Sequence, residues 1–525
     1  MRIEQSFTEL SARERAFALL DAGSARELLG PFAHLKSPHL LGQGIVAQND
    51  DGMIVVRGAF RGADAVVIAM EGKFQGGGIG EIAGAKFAAA LELVLAENQV
   101  GRKVQPIIVM DTGGVRLQEA NLGLLAIAEI QDLLVQVRRF VPVIALIPGK
   151  VGCFGGMSMT SGLFSYLIMT REGRLTLNGP EVIEQEAGRG EWDSSDKAFT
   201  YRTIGGAHRV EQGLADMLVH DSLREMQEAV AACMEKGIPA HRSTMLEHYR
   251  ALVDAAAPGP AAGQTAPAHS RGRVWFEALT KGGTPVETTV GSVLAADITV
   301  GGKPCRVIAV VPDANTAYPR TVKGEVGLQQ GWELARIVRA TMEEDKDKAE
   351  KRAITALVDV PSQAYGYREE YNGIFLSCAA SVNAYADARH AGHPVVTFIV
   401  GNASYMLSLD DETITVHAMS KKSAARITKR SIADMDDAAD KVAAIAYDIH
   451  SFNRLGAVNK LLRFADHDHP TDADAEAVKQ ELAAGAAASR SWGNRLSYRL
   501  ETPNGADYRR LSAEVRRRMR EAWNG

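Results

Sequence analysis

PIIVMDTGGVR at residues 106–116 and VPVIALIPGKVGCFGGMS at residues 141–158 each join an apolar run to a glycine-rich turn. The runs Pro106–Met110 and Val141–Ile147 have the length and β-branched content of buried strands. The segment Leu117–Arg138 between them has a helical pattern, so the strands are predicted to be parallel and joined by a crossover helix. Two such turns can aim backbone N–H groups at one point, which is how a fold builds an oxyanion hole. Ordinary strand-to-helix turns explain the same glycines equally well, because isolated glycine-rich turns are weak motifs.

Length and composition limit the class of protein. At 525 residues with 46% hydrophobic content, the chain predicts more than one domain with real cores. The net charge of −5 gives no basic surface for nucleic acid. The four cysteines form no CxxC pair, no metal motif is present, and no apolar run is long enough to cross a bilayer. With no apolar segment at the N-terminus, we expect a soluble, cytoplasmic α/β protein that does not contact membranes.

The remaining first half contains three further features. The first forty residues are predicted to be helical, and Met53–Met70 is predicted to be a hairpin. The glycine run that includes Gly76, Gly77 and Gly78 then opens another helix. Glycines at that position either hold a ligand oxygen or allow close packing between helix and sheet.

An internal repeat organises the chain. An Ala/Pro/Gly-rich linker at 254–272 separates a first domain, 1–253, from a second, 273–525. Arg116 and Arg368, Pro142 and Pro394, and Gly149 and Gly401 are each related by 252 residues, which predicts two homologous domains. After Gly401 the offset falls to 239, so thirteen residues equivalent to the second Gly-Gly turn and its helix are predicted to be absent.

Several longer motifs carry a family resemblance. In the first half they are GKFQGG at 72–77, DTGGVRLQE at 111–119, NGPEVIE at 178–184, WDSSD at 192–196 and TIGGAHR at 203–209. This half resembles the carboxyltransferase members of the crotonase superfamily, and more closely the β subunit of malonate decarboxylase. The second half, with GRVWF at 272–276, QAYGYREE at 363–370 and HAMSKKSAARI at 417–427, resembles the γ subunit. The resemblance implies two homologous crotonase-like (ββα-spiral) carboxyltransferase domains in one chain, and the second departs from the pattern after Gly401.

The resemblance also implies a reaction and a partner. The reaction is decarboxylation of a malonyl thioester to an acetyl thioester and CO2, with the malonyl group on the phosphopantetheine-type, CoA-like arm of an acyl carrier subunit. An acyl carrier subunit and a malonyl/acetyl transferase subunit are therefore expected as partners in the same complex. No cofactor is expected to bind the chain directly, and self-association into a homo-oligomer is left open.

The site residues follow from the same resemblance. The enolate oxygen is expected to accept from backbone N–H groups around Gly114–Val115 and Gly155–Gly156. The thioester and its arm are expected beside Gly76–Gly78. From the chemistry of the guanidinium group alone, Arg116 and Arg368 each either hold a carboxylate or phosphate or form salt bridges to Glu119 and Glu370. In the second half, Ala364, Tyr365, Gly366 and Gly401 are expected to face the leaving carboxylate.

Other chemical groups have two readings each. Cys153 is either a nucleophile or a small loop residue, and His417 is either a proton donor or a structural histidine. Nine arginines against four acids in the tail from Arg490 form either a solvated helix face or a docking surface for an acidic carrier. Two alternative functions remain: a biotin-dependent acyl-CoA carboxyltransferase subunit, and a non-catalytic carrier-docking or assembly subunit.

Overall fold

The computed structural model describes residues 5–255, 265–316, 318, 320–403, 412–415, 460–491 and 510–524. The chain divides into two compact units. The first unit contains the residues up to Met245, together with Gly373–Ala379 and the last helix of the chain. The second unit contains the rest, so each unit is an α/β body with its own sheet.

The sheet of the first unit follows the order of the chain. Its described strands, β1 to β7, are Arg26–Leu28, Met53–Phe60, Ala63–Met70, Gln105–Val109, Ile144–Ile147, Tyr166–Met169 and Met217–Leu218. β1, β2 and β3 are antiparallel, and β3 to β7 are parallel. The hairpin predicted from Met53–Met70 is confirmed, and its turn lies at Arg61 and Gly62.

Helices cover this sheet. The described ones, α1 to α8, are Ala12–Leu19, Glu81–Gln99, Ala120–Val137, Gly155–Ser161, Pro180–Ala187, Lys197–Ile204, Gly206–Glu211 and Leu223–Lys236. Ile107 of β4 packs in one core cluster with Ala16 of α1 and Val230 of α8. Its neighbour Ile108 points to the opposite face and is also fully buried. Both faces of the parallel strands are therefore covered, as parallel sheets require.

The start of the chain differs from the prediction. Among the described residues 5–40, α1 is the only α-helix, and it begins with the capping box formed by Ser11 and Glu14. β1 and two short 3-10 turns, Pro31–Ala33 and Leu41–Gln43, follow it. Glycine and proline interrupt the helical pattern after α1, because neither residue favours a helix interior.

The second unit repeats the order of elements. Its described strands, β8 to β14, are Thr284–Pro285, Val293–Val300, Lys303–Val310, Ala353–Val360, Val395–Ala403, Glu412–Thr415 and Lys460–Leu461. The helices α9 to α14 are Leu246–Ala255, Arg271–Thr280, Leu328–Glu344, Tyr367–Tyr371, Ile374–His390 and Asp472–Ser491, of which α13 begins in the first unit. Trp275 of α10 meets Phe398 of β12 edge-on at 5.4 Å and lies in one core with Val478 of α14.

The register of the repeat differs from the sequence offset at the first turn. Val115 forms a parallel bridge with Ile79, and the equivalent bridge in the second unit joins Gln363 to Val326. The turns are therefore related by 248 residues instead of the predicted 252.

The four extra residues lie farther along the second half. Ile107 pairs with Ile144 in the first unit, and Thr355 pairs with Val396 in the second. β4 and β11 are thus related by 248 residues and β5 and β12 by 252. The repeat offset does not reveal this insertion, because every residue pair that defines the offset lies at or after the insertion.

The connection after β12 is shorter than its counterpart in the first unit. The chain takes 22 residues from Ile144 to its partner Tyr166. It takes 16 from Val396 to its partner Glu412. By sheet register the connection is thus six residues shorter, and the prediction of thirteen missing residues is wrong. The prediction aligned residues 404–406 with β6, and these residues lie outside the described chain.

The last helix, α15 (Arg510–Asn524), belongs to the first unit. Val515 packs in one apolar cluster with Ile82 and Ala85 of α2. The buried Arg516 places Nε 2.8 Å from Glu92 Oε1 and Nη2 2.5 Å from Glu129 Oε2. The predicted limits put residues 273–525 in one domain, and for this helix they are wrong, because its apolar side packs on α2. The predicted end of the first domain at residue 253 differs as well, because α9 (Leu246–Ala255) belongs to the second unit. Within the predicted linker at 254–272, residues 256–264 lie outside the described chain.

This helix also bears on the tail arginines. Arg516 is only 6% exposed, and Arg518 donates to the carbonyl of Ala33 at 2.9 Å. Arg517 is exposed and pairs with Glu514 and Glu521 of its own helix. A run that the sequence presents as one charged surface therefore has Arg516 buried inside the unit.

Candidate active site

Glycine-rich segments follow β3, β4 and β5 at one edge of the first sheet. The turn Asp111–Arg116 after β4 lies in the middle. It is hydrogen-bonded to the segment after β3, since the N–H of Gly113 donates to the carbonyl of Gly76 at 2.7 Å. A Cβ atom at Gly77 would lie 2.0 Å from the carbonyl oxygen of Asp111, so only glycine allows this approach.

The same turn is bonded to the segment after β5. The N–H of Thr112 donates to Gly152 O at 2.7 Å, and Phe154 N–H donates to Thr112 O at 3.0 Å. Gly114 has φ of +96°, and a Cβ there would lie 2.8 Å from Phe154 O and 3.1 Å from Gly155 Cα. The structure therefore brings together the two Gly-Gly turns that the sequence predicts as neighbours.

Some backbone N–H groups of these turns donate to acceptors within the protein, and others do not. Gly114 N–H donates to Thr112 Oγ1 at 3.1 Å, and Gly155 N–H donates to Leu177 O at 3.0 Å. Within the described part of the chain, the N–H groups of Val115 and Gly156 have no acceptor. Gly156 lies in the first turn of α4, where helical N–H groups lack an internal partner. Of the four predicted donors, Val115 and Gly156 are the ones with N–H groups available to a ligand.

The side chain of Asp111 links the turn after β4 to the segment after β5. Its Oδ1 accepts from Val151 N–H at 2.8 Å and Gly152 N–H at 3.1 Å, and Oδ2 pairs with Arg15 at 3.0 Å. Burial raises the pKa of Asp111, while Arg15 and the backbone donors oppose the rise. The sequence contained Asp111 in a quoted motif but gave no sign of this anchoring role.

Arg116 does not reach a ligand site in the structure. Its side chain is fully buried, and Nη1 lies 2.8 and 2.9 Å from the two carboxylate oxygens of Asp51. Glu119 is a second acidic neighbour, 3.6 Å from the same nitrogen. The geometry contradicts the predicted substrate contact of Arg116 and matches the salt-bridge alternative, with Asp51 as the main partner. Asp51 was missed because it lies 65 residues away in sequence.

The predicted second-half residues lie in the second unit. In the register of the bridges, Ser362 takes the place of Gly114 and Ala364 that of Arg116. Arg368, four residues later in the extra segment, is exposed in α12 and is not the counterpart of Arg116. The offset of 252 residues aligned Ala364, Tyr365 and Gly366 with positions of the first unit. In the register of the sheet, those positions correspond to residues four places earlier in the second unit.

Gly401 and Gly366 have structural explanations in this unit. A Cβ at Gly401 would lie 2.0 Å from Asp359 Oδ1, so the glycine makes room for that carboxylate. Gly366 is the N-cap of α12, and its carbonyl accepts from Glu370 N–H at 3.1 Å. A role of these residues toward the leaving carboxylate remains a prediction.

The remaining chemical groups are resolved in part. Cys153 is fully buried and burial raises its thiol pKa, so it is not a reactive thiolate at neutral pH. His417 lies outside the described residues. In the described ranges there is no group of three or more His, Cys, Asp or Glu able to hold a metal ion, and no helix is long and apolar enough to cross a membrane.

Two family models match the chain, one for each half. The carboxyl transferase domain matches residues 5–250, and the malonate decarboxylase gamma subunit matches residues 321–523.

Similar proteins are carboxyltransferases and carboxylase subunits. The malonyl-S-ACP:biotin-protein carboxyltransferase MADC of Malonomonas rubra is 44% identical over 243 residues, which are 44% of this chain and 76% of that protein. MADD of the same organism, described by the same activity, is 33% identical over 183 residues, 32% of this chain and 63% of that protein. A biotin-dependent acetyl-/propionyl-coenzyme A carboxylase beta5 subunit of Mycobacterium tuberculosis is 26% identical over 411 residues, 74% of this chain and 68% of that protein.

Among solved structures, a chain of a Pseudomonas malonate decarboxylase hetero-tetramer in complex with malonate is 55% identical. It covers 47% of this chain and 90% of its own length, with a TM-score of 0.47.

Proposed function

Because the chain belongs to the carboxyltransferase family of the malonate decarboxylases, with a carboxyl-transferase half and a γ-subunit half, we propose that it removes CO2 from a malonyl thioester. It is an enzyme of malonate-related carboxyl transfer or decarboxylation, and its domains have the predicted crotonase-like fold. The proposed reaction makes it a carboxy-lyase that forms an acetyl thioester.

The chemical step needs a place for negative charge. When the bond between the α-carbon and the carboxylate breaks, its electron pair moves into the thioester as an enolate, and CO2 leaves. A proton then joins the α-carbon to give the acetyl thioester. Donors that meet the enolate oxygen more closely than the substrate carbonyl lower the barrier of the first step.

The available N–H groups of Val115 and Gly156 are the observation that carries this proposal. They lie on two turns that are bonded to each other through Thr112, so the protein fixes their directions before substrate binds. Each donor of this kind is worth about 3–4 kcal/mol. The other two predicted residues, Gly114 and Gly155, would shape the hole through their backbone instead of donating.

We infer that the substrate is carried on a phosphopantetheine-type arm of an acyl carrier subunit, with a malonyl/acetyl transferase subunit in the same complex. The matched relative that acts on malonyl-S-ACP supports a carrier-bound substrate. Gly76–Gly78 would lie along the thioester and its arm, since this segment is bonded to the middle turn. Gly76 is exposed, and open space surrounds the position where its Cβ would be.

Carboxyl transfer to biotin is the second candidate. The names of the matched relatives favour it, since MADC and MADD are biotin-protein carboxyltransferases. Both reactions begin with the same cleavage to an enolate and CO2. They differ in whether biotin takes up the CO2 before it escapes.

The first experiment measures CO2 release by the purified chain from malonyl thioester, on carrier and on CoA, without biotin. Release under these conditions supports decarboxylation. If no CO2 is released without biotin, and carboxybiotin forms when biotin is present, carboxyl transfer replaces decarboxylation as the function. Neither activity, with the carrier still bound, would leave a docking or assembly subunit.

A pair of variants tests the hole itself. Gly156→Pro removes the N–H in the first turn of α4, where proline is tolerated, and Gly156→Ala keeps it. The added Cβ in the alanine variant lies 3.2 Å from the flexible end of Ile127, so it is a fair control. We expect kcat to fall by about 10²–10³ for proline and by less than about tenfold for alanine. Equal rates in two folded variants would remove Gly156 from the mechanism.

A further inference from the structure

Glu119 joins three segments that frame the proposed hole. Its Oε2 accepts the N–H of Glu81 at 2.9 Å, in the first turn of α2. Its Oε1 accepts the hydroxyl of Ser37, and its own N–H donates to the carbonyl of Arg116 at 2.9 Å. Glu119 therefore connects α2 and the segment at Ser37 through its fully buried carboxylate, and the middle turn through its backbone N–H.

Arg116 carries this connection to the hole. Nη1 lies 3.6 Å from Glu119 Oε2, and Asp51 holds the same nitrogen with both carboxylate oxygens. Asp51 in turn accepts Ala83 N–H of α2 at 2.9 Å. The backbone of Arg116 is fixed as well, since its N–H donates to Ile79 O at 2.8 Å.

Val115 directly precedes Arg116, the residue held by these contacts. The carbonyl of Gly114 accepts Ile79 N–H at 2.9 Å, so the residues on both sides of Val115 are bonded to Ile79. In such a bridge the N–H of the middle residue faces away from the partner strand. The direction of the Val115 N–H is therefore set by how the turn is held.

We propose that Glu119 is a positioning residue that, through Arg116, fixes the direction of the Val115 N–H. The proposal rests on the function proposed above and adds a regulation of the same site. The ionised carboxylate accepts from Glu81 N–H and Ser37 Oγ–H and attracts Arg116. A protonated carboxyl has a weaker hold on all three. The hole is therefore held correctly when Glu119 is ionised.

The charges around Glu119 come from every element packed against it. Arg116 lies on its own turn, Asp51 lies before β2, Glu81 lies on α2, and His39 lies on the segment after Ser37. His39 Nε2 is 2.8 Å from Glu81 Oε2. Burial alone would lower the pKa of His39, but the hydrogen bond to Glu81 and the charges of Glu119 and Asp51 raise it.

Burial raises the pKa of Glu119 to about 7, with the charge of Arg116 opposing the rise and that of Asp51 adding to it. Between about pH 4.5 and pH 7 the folded protein therefore binds a proton that the unfolded chain has lost. Through this residue, the free energy of unfolding falls as pH rises across that window. Activity is expected to rise across the same window, and because burial also raises the pKa of Asp51, a Glu119 variant is needed to assign these opposite trends to Glu119.

The second unit offers a matched control. Glu369 is also buried, and its Oε2 accepts Leu328 N–H at 2.8 Å in the first turn of α11. It thus supports a helix start in the second unit, as Glu119 does in the first. Glu369→Gln is expected to lower the free energy of unfolding, while its kcat still rises with pH as in the wild-type protein.

The experiment measures kcat and KM for malonyl thioester, and the free energy of unfolding, between about pH 5.5 and pH 8.5. The wild-type kcat is expected to rise with pH. Glu119→Gln is expected to lose this rise, with kcat at the upper end reduced about tenfold or more and KM little changed. Ser37→Ala, which removes one donor to the carboxylate, is expected to shift the limb to higher pH.

The outcomes separate this inference from the function. A wild-type protein that turns over no malonyl thioester at any pH overturns the proposed function. Turnover with the wild-type pH profile retained in both Glu119→Gln and Ser37→Ala overturns the positioning role alone. Loss of the limb in Glu369→Gln as strongly as in Glu119→Gln would also overturn it, because a general loss of rigidity would then explain both.

Discussion

At the scale of single residues, glycines next to helix starts make room for buried carboxylates. A Cβ at Gly80 would lie 1.8 Å from Glu119 Oε2, and one at Gly327 would lie 2.8 Å from Glu369 Oε1. In each unit the carboxylate takes the space that a side chain would fill and accepts the first free N–H of the next helix. The two halves therefore share a capping device built from residues far apart in sequence.

Gly80→Ala should lower the free energy of unfolding by about 1–3 kcal/mol or more, because the new methyl group overlaps the Glu119 carboxylate. Gly190→Ala is the control, since no atom lies within 4 Å of its Cβ position. Urea unfolding followed by circular dichroism gives both values. Equal stabilities of the two variants would mean that Glu119 does not occupy this space in solution.

The buried Lys86 is expected to make the free energy of unfolding depend on pH. Its Nζ is buried and donates to the carbonyls of Leu29 at 3.0 Å, Asp50 at 3.1 Å and Met53. Burial lowers the pKa of Lys86 to about 8, while nearby carboxylates oppose the shift. Between about pH 8 and pH 10.5 the unfolded chain holds a proton that the folded protein has lost, so Lys86 makes stability rise with pH.

We therefore expect Lys86→Met to reduce the gain in unfolding free energy between these two pH values. Lys103→Met, at an exposed lysine, controls for the general effect of losing a charge. Urea unfolding at both ends of the range gives the two differences. A gain in Lys86→Met as large as in the control would show that Lys86 is not buried as a neutral amine.

At the scale of elements, apolar runs and glycines predict more than charges do. β4 and β5 lie within one to three residues of their predicted limits, because buried strands are marked by their own composition. The two glycine turns meet as expected, since parallel strands end at one edge. The Arg116–Asp51 pair could not be read from sequence, because side-chain pairing across 65 residues leaves no local signal. The four-residue shift at Arg368 was hidden for a related reason, since a repeat offset does not report sheet register.

Neighbouring arginines of α15 give a test at this scale. Arg516→Ala leaves the carboxylates of Glu92 and Glu129 without their buried partner, and should cost about 3 kcal/mol of stability. Arg517→Ala removes only pairs within the exposed face of the same helix and should change stability little. Thermal and urea unfolding measure both. Similar effects of the two substitutions would contradict the packing of α15 on α2.

At the scale of the whole molecule, chain order and packing do not coincide. α15 lies at the end of the γ-like half in sequence, yet it packs in the first unit. Arg57 stacks on Trp523 at 4.5 Å and donates to the carbonyl of that residue at 3.0 Å. Trp523 Nε1 also reaches Glu97 of α2 at 3.3 Å. The stability of the β-like half thus depends on residues at the far end of the polypeptide.

Removing residues 509–525 should therefore weaken the first unit more than the half from which they were cut. Loss of α15 removes Val515 from its apolar cluster with α2 and Trp523 from its hydrogen bond to Glu97, so opening of α2 becomes easier. Hydrogen–deuterium exchange should show faster exchange in Glu81–Gln99 and in the segment near Ala33, with α14 of the second unit unchanged. Addition of a peptide of residues 510–524 in trans should restore protection, and a peptide with Trp523→Ala should restore less. Faster exchange confined to α14 would instead show that the last helix supports the unit it follows in sequence.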